Sequence, residues 1–446
     1  MDKVRQAALE IITEVYEKDA YANVALVKKI RQHKLSGIDR AFCTSLVYGT
    51  VKAGETLDWI IRRYTKRPLS KIDPVVKNIL RLGIYQLFYM DKVPASAACN
   101  EMVEIAKQKA GLGASKFVNG LLRSAVREPE KAKFPAGQGK ATENLALSAC
   151  HPQWLIKRWI KSFGFENAKK LAEFDNEDAP LTLRTNTLKI SRAELVKKLA
   201  ETNMEVQLSK LTPEGIIVNN HSELDNFSPI AEGLCQVQDE SSMLVAHVLA
   251  PEPGEFIIDC CSAPGGKTTH IAALMENRGR IVAGDIYEHK IERIRENAER
   301  LGISIIEAEL IDAREIGKKY ENQADRVLVD APCSGLGVLR RKADARWRKK
   351  TADLTELPKL QREILSEVSR AVKKGGVLVY STCTIEAAEN YLMVEDFLRE
   401  HGDFYLEKTG SYLPMKNAHS DDDMVQLLPH VDGTDGFFIA RMRRKN

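Results

Sequence analysis

Between residues 256 and 381, five strand-like runs alternate with helical stretches, and this alternation limits the fold more than any other feature of the chain. The runs are Phe256–Asp259, Ile281–Asp285, Ile305–Glu309, Arg326–Asp330 and Gly376–Ser381. Helical patterns fall between them at Thr268–Met275, Tyr287–Leu301 and Pro358–Val372. Such repeats build a parallel sheet with helices on both faces. In open sheets of this kind, ligands sit at the carboxyl ends of the strands. Asp259, Asp285 and Asp330 each end a run, and Asp312 lies just past another. Cys333 and Cys383 follow the fourth and fifth runs. One acid at a strand end is usually a helix cap. Several acids on successive strands, with two cysteines among them, predict a reactive crevice instead.

The chain is 446 residues long, which is too much for a single core. Residues 1–127 carry helical periodicity, as in Val4, Ala8, Ile11, Ile12 and Val15, and predict an all-α domain. Residues 128–145 are polar and rich in Pro and Gly, and read as a linker. Residues 146–236 mix a helical start after Pro152 with short strands at Leu181–Arg184 and Gly215–Val218, which suggests a small α+β module. Residues 237–446 form the α/β domain. Charge follows this division. Residues 1–127 hold 22 Lys+Arg and 12 Asp+Glu, a balance of +10 that leaves −6 for the rest. A basic first segment suits a polyanion partner as well as it suits a solvated helical surface. No run of about eighteen apolar residues occurs, so no membrane span is expected. The N-terminus lacks the pattern of a secretory signal, so the cytoplasm is the expected compartment and the eight cysteines are expected to be free thiols. Neither Cys-x-x-Cys nor His-Glu-x-x-His occurs, so no metal is expected.

The loop Asp259-Cys260-Cys261-Ser262-Ala263-Pro264-Gly265-Gly266-Lys267 follows the first run and opens a helix. Small residues let backbone approach a ligand, and the helix start offers unpaired N–H groups. The spacing is neither a dinucleotide fingerprint nor a phosphate loop. A carboxylate-bearing cofactor such as S-adenosylmethionine suits it, with Lys267 as counter-charge and Asp285 on the ribose hydroxyls. Carbon 5 of cytosine attacks a methyl donor only poorly. A thiolate adding at carbon 6 turns the ring into an enamine, and a base must later remove the carbon 5 proton so that the sulfur leaves. Cys333 and Cys383, in loops beyond strands, are the two candidates, and this chemistry alone does not order them. Asp330 is a candidate for bonding the pyrimidine edge. Arg340, Arg341, Arg346, Trp347 and Arg348 lie in a basic run with one aromatic, suited to RNA phosphates and base stacking or to a plain solvated helix.

Asp259–Lys267, Asp285, Asp330-Ala331-Pro332-Cys333-Ser334-Gly335 and Ser381-Thr382-Cys383 resemble the motifs of RNA 5-methylcytosine methyltransferases. The resemblance extends to His151-Pro152-Gln153-Trp154, Leu183-Arg184-Thr185-Asn186 and Asp432–Phe438. Arg81–Leu87 and Phe117–Arg123 resemble the RNA-binding domain of the NusB antitermination factor. The combination is similar to the bacterial 16S rRNA cytosine-C5 methyltransferases of the B type (Fmu/Sun, RsmB/NOP family). That resemblance implies a Rossmann-like class I methyltransferase domain, 16S rRNA as partner and S-adenosylmethionine as cofactor. It implies Cys383 as nucleophile and Cys333 as the helper of release. It also implies cofactor contacts from Cys261, Ser262, Ala263, Pro264, Gly265, Gly266, Lys267, Asp285, Asp312 and Asp330. Ser262 stands where Ala is usual, and Ala343 where Pro is common. A tRNA cytosine methyltransferase shares the chemistry, though the NusB-like segment favours rRNA. A non-catalytic antitermination or assembly factor needs neither the cysteine pair nor the glycine loop.

Overall fold

The computed structural model describes every residue except 1, 138, 202–203 and 220–227. One position of the expected linker and parts of the α+β module therefore lie outside the described residues. The chain divides into two compact units. Met1–Glu177 with Arg341–Lys349 make one, and Asp178–Arg340 with Lys350–Asn446 make the other.

The first unit is helical. It contains α1 (Lys3–Glu17), α2 (Ala22–His33), α3 (Gly37–Arg62), α4 (Pro74–Tyr89), α5 (Ala95–Arg127), α6 (Ala141–Ser148), α7 (Gln153–Phe163) and α8 (Phe165–Phe174). Asp2 starts α1 by accepting from the Val4 amide at 2.8 Å, and Asp73 caps α4, which has Pro74 in its first turn. Apolar residues at helical spacing, among them Ile11, Ile12, Leu46, Leu57, Ile60 and Ile61, are buried in its core. The segment read as a linker contains the start of α6. The helices α7 and α8 belong to this unit rather than to the α+β module.

The basic run after Cys333 gives the clearest correction. Residues 341–349, with α9 (Ala345–Arg348), are part of the helical unit. The Arg346 guanidinium is fully buried and donates to the carbonyls of Cys150 (3.0 Å) and Asp175 (3.0 Å) and to Asn176 Oδ1 (2.8 Å). Trp347 Nε1 donates to the Lys52 carbonyl at 3.1 Å. Arg348 donates to the carbonyls of Asp19 and Ala20. The Arg346 bonds satisfy backbone groups that would otherwise be buried unpaired, so that guanidinium is not available to phosphates, and Trp347 and Arg348 are likewise engaged with backbone carbonyls. The Trp347 ring lies against Gly54, where α3 kinks with φ +41°, and a Cβ there would fall 2.3 Å from Trp347 Nε1.

The second unit holds two sheets. The small one has β1 (Leu181–Thr185), β2 (Val206–Leu208), β3 (Gly215–Val218) and β4 (Cys235–Val237) in the order β2-β3-β1-β4, with antiparallel pairing throughout. Seven strands of the large one run in the order β10-β12-β9-β8-β5-β6-β7. The parallel part is β5 (Phe256–Asp259), β6 (Arg280–Asp285), β7 (Ile306–Leu310), β8 (Ala324–Asp330) and β9 (Val372–Thr382). The alternation of the sequence predicts these five. An antiparallel edge of β10 (Phe404–Leu406), β11 (Val425–Leu427) and β12 (Phe437–Arg444) extends the sheet beyond the expected all-parallel form. Between strands run α10 (Glu240–Leu249), α11 (Gly266–Leu274), α12 (Glu288–Leu301), α13 (Ala313–Lys319), α14 (Asp353–Ser369) and α15 (Tyr391–Glu400). Among the described residues no helix is long and apolar enough to cross a membrane.

A Gly54→Ala variant should lose about 2 kcal/mol or more of stability, because alanine resists the positive φ and collides with Trp347. A lowered urea midpoint with an unchanged slope is the expected readout, and wild-type stability would refute the packing described.

Candidate active site

Parallel pairing sets Asp330 opposite Ser381 and Asp259 opposite Leu328, so the ends of β5, β8 and β9 meet on one rim. The two loops leaving β8 and β9 bring Cys333 Sγ within 3.3 Å of Cys383 Sγ. Both residues are half-buried. Cys333 is held as a neutral thiol. Its contact with Cys383 raises its proton affinity most, burial adds to this, and the Glu389 and Asp330 carboxylates push the same way.

Asp330 is held from two sides. Lys267 Nζ donates to its Oδ2 at 2.7 Å, and Ser381 Oγ to its Oδ1 at 2.9 Å. Burial opposes the charge on Lys267, but Asp330 outweighs burial, so the ammonium is held more firmly than usual. Lys267 Nζ also lies 5.0 Å from the centre of the Phe437 ring. Lys267, expected to face a cofactor carboxylate, is thus already engaged with a protein carboxylate.

A cavity of about 210 Å³ opens beside this pair. Its wall includes the predicted Cys261, Ser262, Ala263, Pro264, Gly266, Lys267 and Asp330, and also Asp259. Gly265, with φ +94°, makes the turn into α11. Asp259 is fully buried. Its Oδ2 accepts from Thr268 Oγ1 at 2.7 Å, whereas its Oδ1 has no hydrogen-bond partner among the described residues. Burial pushes its carboxyl up to about 7. A concavity of mixed lining, with an unpaired buried oxygen and a helix N-terminus, fits a ligand carrying hydrogen-bond donors and a carboxylate.

Asp285 and Asp312 are outside this lining. Asp285 accepts from the Tyr287 amide at 3.2 Å and from Lys290 Nζ at 3.3 Å. Asp312 caps α13 through the Arg314 amide at 2.9 Å and pairs with the Arg314 guanidinium at 2.7 Å. Of the basic run, Arg340 donates to the Asp178 carbonyl.

Several supporting residues carry no local sequence signal. The buried Glu389 accepts from the Ser334 amide (2.8 Å) and from Gln361 Nε2 (2.9 Å), and Gln361 also donates to the Pro332 carbonyl (2.9 Å). Together they fix the Cys333 loop from both sides. Asn390 accepts from Thr382 Oγ1 (2.6 Å) and donates to the Thr384 carbonyl (2.9 Å), which brackets Cys383. Gln236, Val237, Gln238 and Asp239, at the end of the small sheet, line the cavity as well. Behind α11, His247 Nε2 and His270 Nε2 each lie 3.0 Å from Glu214 Oε1. No metal-binding spacing in the sequence points to this group.

Because Asp259 has a higher proton affinity folded than unfolded, its contribution is fully present below the unfolded value of 3.8. It fades as pH rises through about 7. Between pH 5 and pH 8, Asp259→Asn should therefore gain on the wild type by about 2 kcal/mol in ligand-free unfolding experiments. A pH-independent difference would remove the buried acid from the account.

Models of known families match three parts of the chain. Residues 2–127 match the NusB family, 151–225 the ferredoxin-like domain of RsmF/B-like methyltransferases, and 246–443 the family described as 16S rRNA methyltransferase RsmB/F. A Bacillus subtilis protein named "Probable ribosomal RNA small subunit methyltransferase B" is 42% identical, covering 99% of both chains. The Escherichia fergusonii "Ribosomal RNA small subunit methyltransferase B" is 32% identical, with 99% of both chains covered. Among solved structures, PH0851 superposes with a TM-score of 0.86 at 27% identity, covering 100% of this chain and 99% of that one. NSun6 from Pyrococcus horikoshii with SFG gives 0.59 at 26% identity, covering 66% of this chain and 98% of that one. Likeness of this extent, running through all three segments, means that the chain belongs to the RsmB/F family of 16S rRNA methyltransferases.

Proposed function

We propose that this methyltransferase places a methyl group on carbon 5 of a cytosine in 16S rRNA, in the cytoplasm, through a transient bond between Cys383 Sγ and carbon 6 of the base. The observation that carries the reading is the pair of thiols 3.3 Å apart in loops leaving adjacent strands, one of which ends at Asp330 in the wall of the cavity. A methylase acting on a nitrogen has no use for two thiols, whereas carbon 5 needs one sulfur to activate the ring and a second group to help release it.

The order of the two sulfurs is the one the family resemblance implies, and the surroundings of Cys333 support it. Cys333 faces Glu389 and Asp330 and keeps its proton. In this reading Cys333 stays protonated 3.3 Å from Cys383, and Cys383 is the sulfur that carries the charge and attacks. Lys267 supplies the nearby positive charge, and its own proton affinity responds to Cys383. After methyl transfer, the carbon 5 proton has to leave before the Cys383–carbon bond can break, and Cys333 would accept it once its own thiol proton has passed to water. Asp330, fixed by Lys267 and Ser381, retains lone pairs for the pyrimidine edge.

S-adenosylmethionine supplies an electrophilic methyl group. Asp259, Cys261, Ser262, Ala263, Pro264, Gly266, Lys267 and Gln238 would hold it, because they line the cavity beside Asp330. Gly265 shapes the turn, and Asp285 and Asp312, at neighbouring strand ends, would close the site around its nucleoside part. Arg340 and Arg341 stay as proposed contacts to the RNA. The names of the relatives, small-subunit rRNA methyltransferases, support rRNA as the substrate class.

The Cys383→Ala chain should lose all methylation. The Cys333→Ala chain should accumulate a covalent RNA adduct that survives a denaturing gel. An adduct with Cys383→Ala instead would reverse the two roles. Bisulfite sequencing of 16S rRNA from cells lacking the protein should show one methylcytosine missing, and an unchanged pattern would eliminate the rRNA reading.

A further inference from the structure

We infer that Arg184, on β1 of the small sheet, is a positioning residue for the methyl-donor site, so that the small α+β module completes the donor pocket. The inference rests on the methyl-donor reading above and deepens it.

The Arg184 guanidinium is buried, with the residue only 2% exposed. It donates through Nη1 to the Gly266 carbonyl and to Gln238 Oε1, and through Nη2 to Thr269 Oγ1 at 3.0 Å. Gly266 and Gln238 both line the cavity. Gly266 and Thr269 belong to the first turn of α11, whose residues Gly266 and Lys267 line that cavity. One planar cation thus ties a strand of the small sheet, a side chain of the cavity wall and the start of the helix carrying Lys267.

A second link runs in parallel. Glu214, in the turn before β3, holds His270 one turn further along α11 and His247 on α10. Burial opposes the charge on Glu214, but the two imidazoles outweigh it and hold the carboxylate well below its usual range. Glu214 in turn supports the charge on Arg184, whose proton affinity burial lowers to about 9. α11 is therefore gripped at successive turns by residues of the small module.

A buried charge is a poor way to gain stability, since an apolar side chain of similar size commonly does as well. What it supplies is direction. The guanidinium fork aims three bonds at fixed angles, as no aliphatic residue does. Its natural use here is to hold the helix start and Gln238 in the geometry that the donor meets.

Direct titration of the full chain with S-adenosylhomocysteine, in the absence of RNA, tests this independently of turnover. Arg184→Met should weaken binding about tenfold or more, and Arg184→Lys should recover part of the loss by restoring the charge without the fork. Affinity for a 16S rRNA fragment should change less than about twofold. Thr269→Val, which removes one acceptor with little change of shape, should weaken S-adenosylhomocysteine binding about threefold, and it decides the matter if Arg184→Met does not fold. Unchanged binding by the folded variants, with only a lowered melting temperature, would reduce Arg184 to a structural role. Failure of the unaltered chain to bind S-adenosylhomocysteine would instead sink the methyl-donor reading itself, and the Arg184 proposal with it.

Discussion

The parallel ladder between β8 and β9 is the constraint on which the site depends. Hydrogen bonding sets Asp330 beside Ser381, and the two chain segments leave the sheet side by side. Cys333 lies three residues beyond one position of this pair and Cys383 two beyond the other. Their sulfurs come together because the ladder has fixed the starting points of both loops. A one-residue slip would turn every side chain of β9 to the other face of the sheet. The bonds from Glu389, Gln361 and Asn390 then limit how far each loop can stray.

Arginine serves as an internal tie in both units. Arg441 donates to the Val248 and Leu249 carbonyls at the end of α10, and Arg326 also reaches the Leu249 carbonyl. Arg346 does the same for Cys150 and Asp175 in the helical unit. Carbonyls at helix ends lack partners within the helix, and a guanidinium satisfies two or three at once. Charge that looks like surface chemistry in one dimension is often used up in the interior.

That explains what was legible in the sequence and what was not. The strand ends were readable, because alternation of period and a terminal acid are local signals. Asp259, Asp330, Cys333 and Cys383 follow from them. Asp285 and Asp312 end or follow their strands as expected, yet they are turned to Lys290 and Arg314. Arg184, Gln238 and Glu389 are single polar residues whose partners are up to 85 positions away, and no spacing rule points to them. The run around Arg346 was misleading for the same reason. Local charge density is identical for a solvated helix and for a plug, and only the distant carbonyls of residues 150 and 175 distinguish them. The edge strands β10 to β12 lie beyond the last strand–helix repeat, so the alternation that marks β5 to β9 does not reach them.

The helical unit is discontinuous in sequence, since Arg341–Lys349 are needed to fill it. During synthesis, most of its helices leave the ribosome long before those nine residues exist. Until translation has passed position 349, the carbonyls of Lys52, Cys150 and Asp175 lack the donors that Arg346 and Trp347 supply. Completion of the N-terminal body therefore waits on the segment that follows the Cys333 loop, and a nascent chain stalled before that point lacks the residues that fill it.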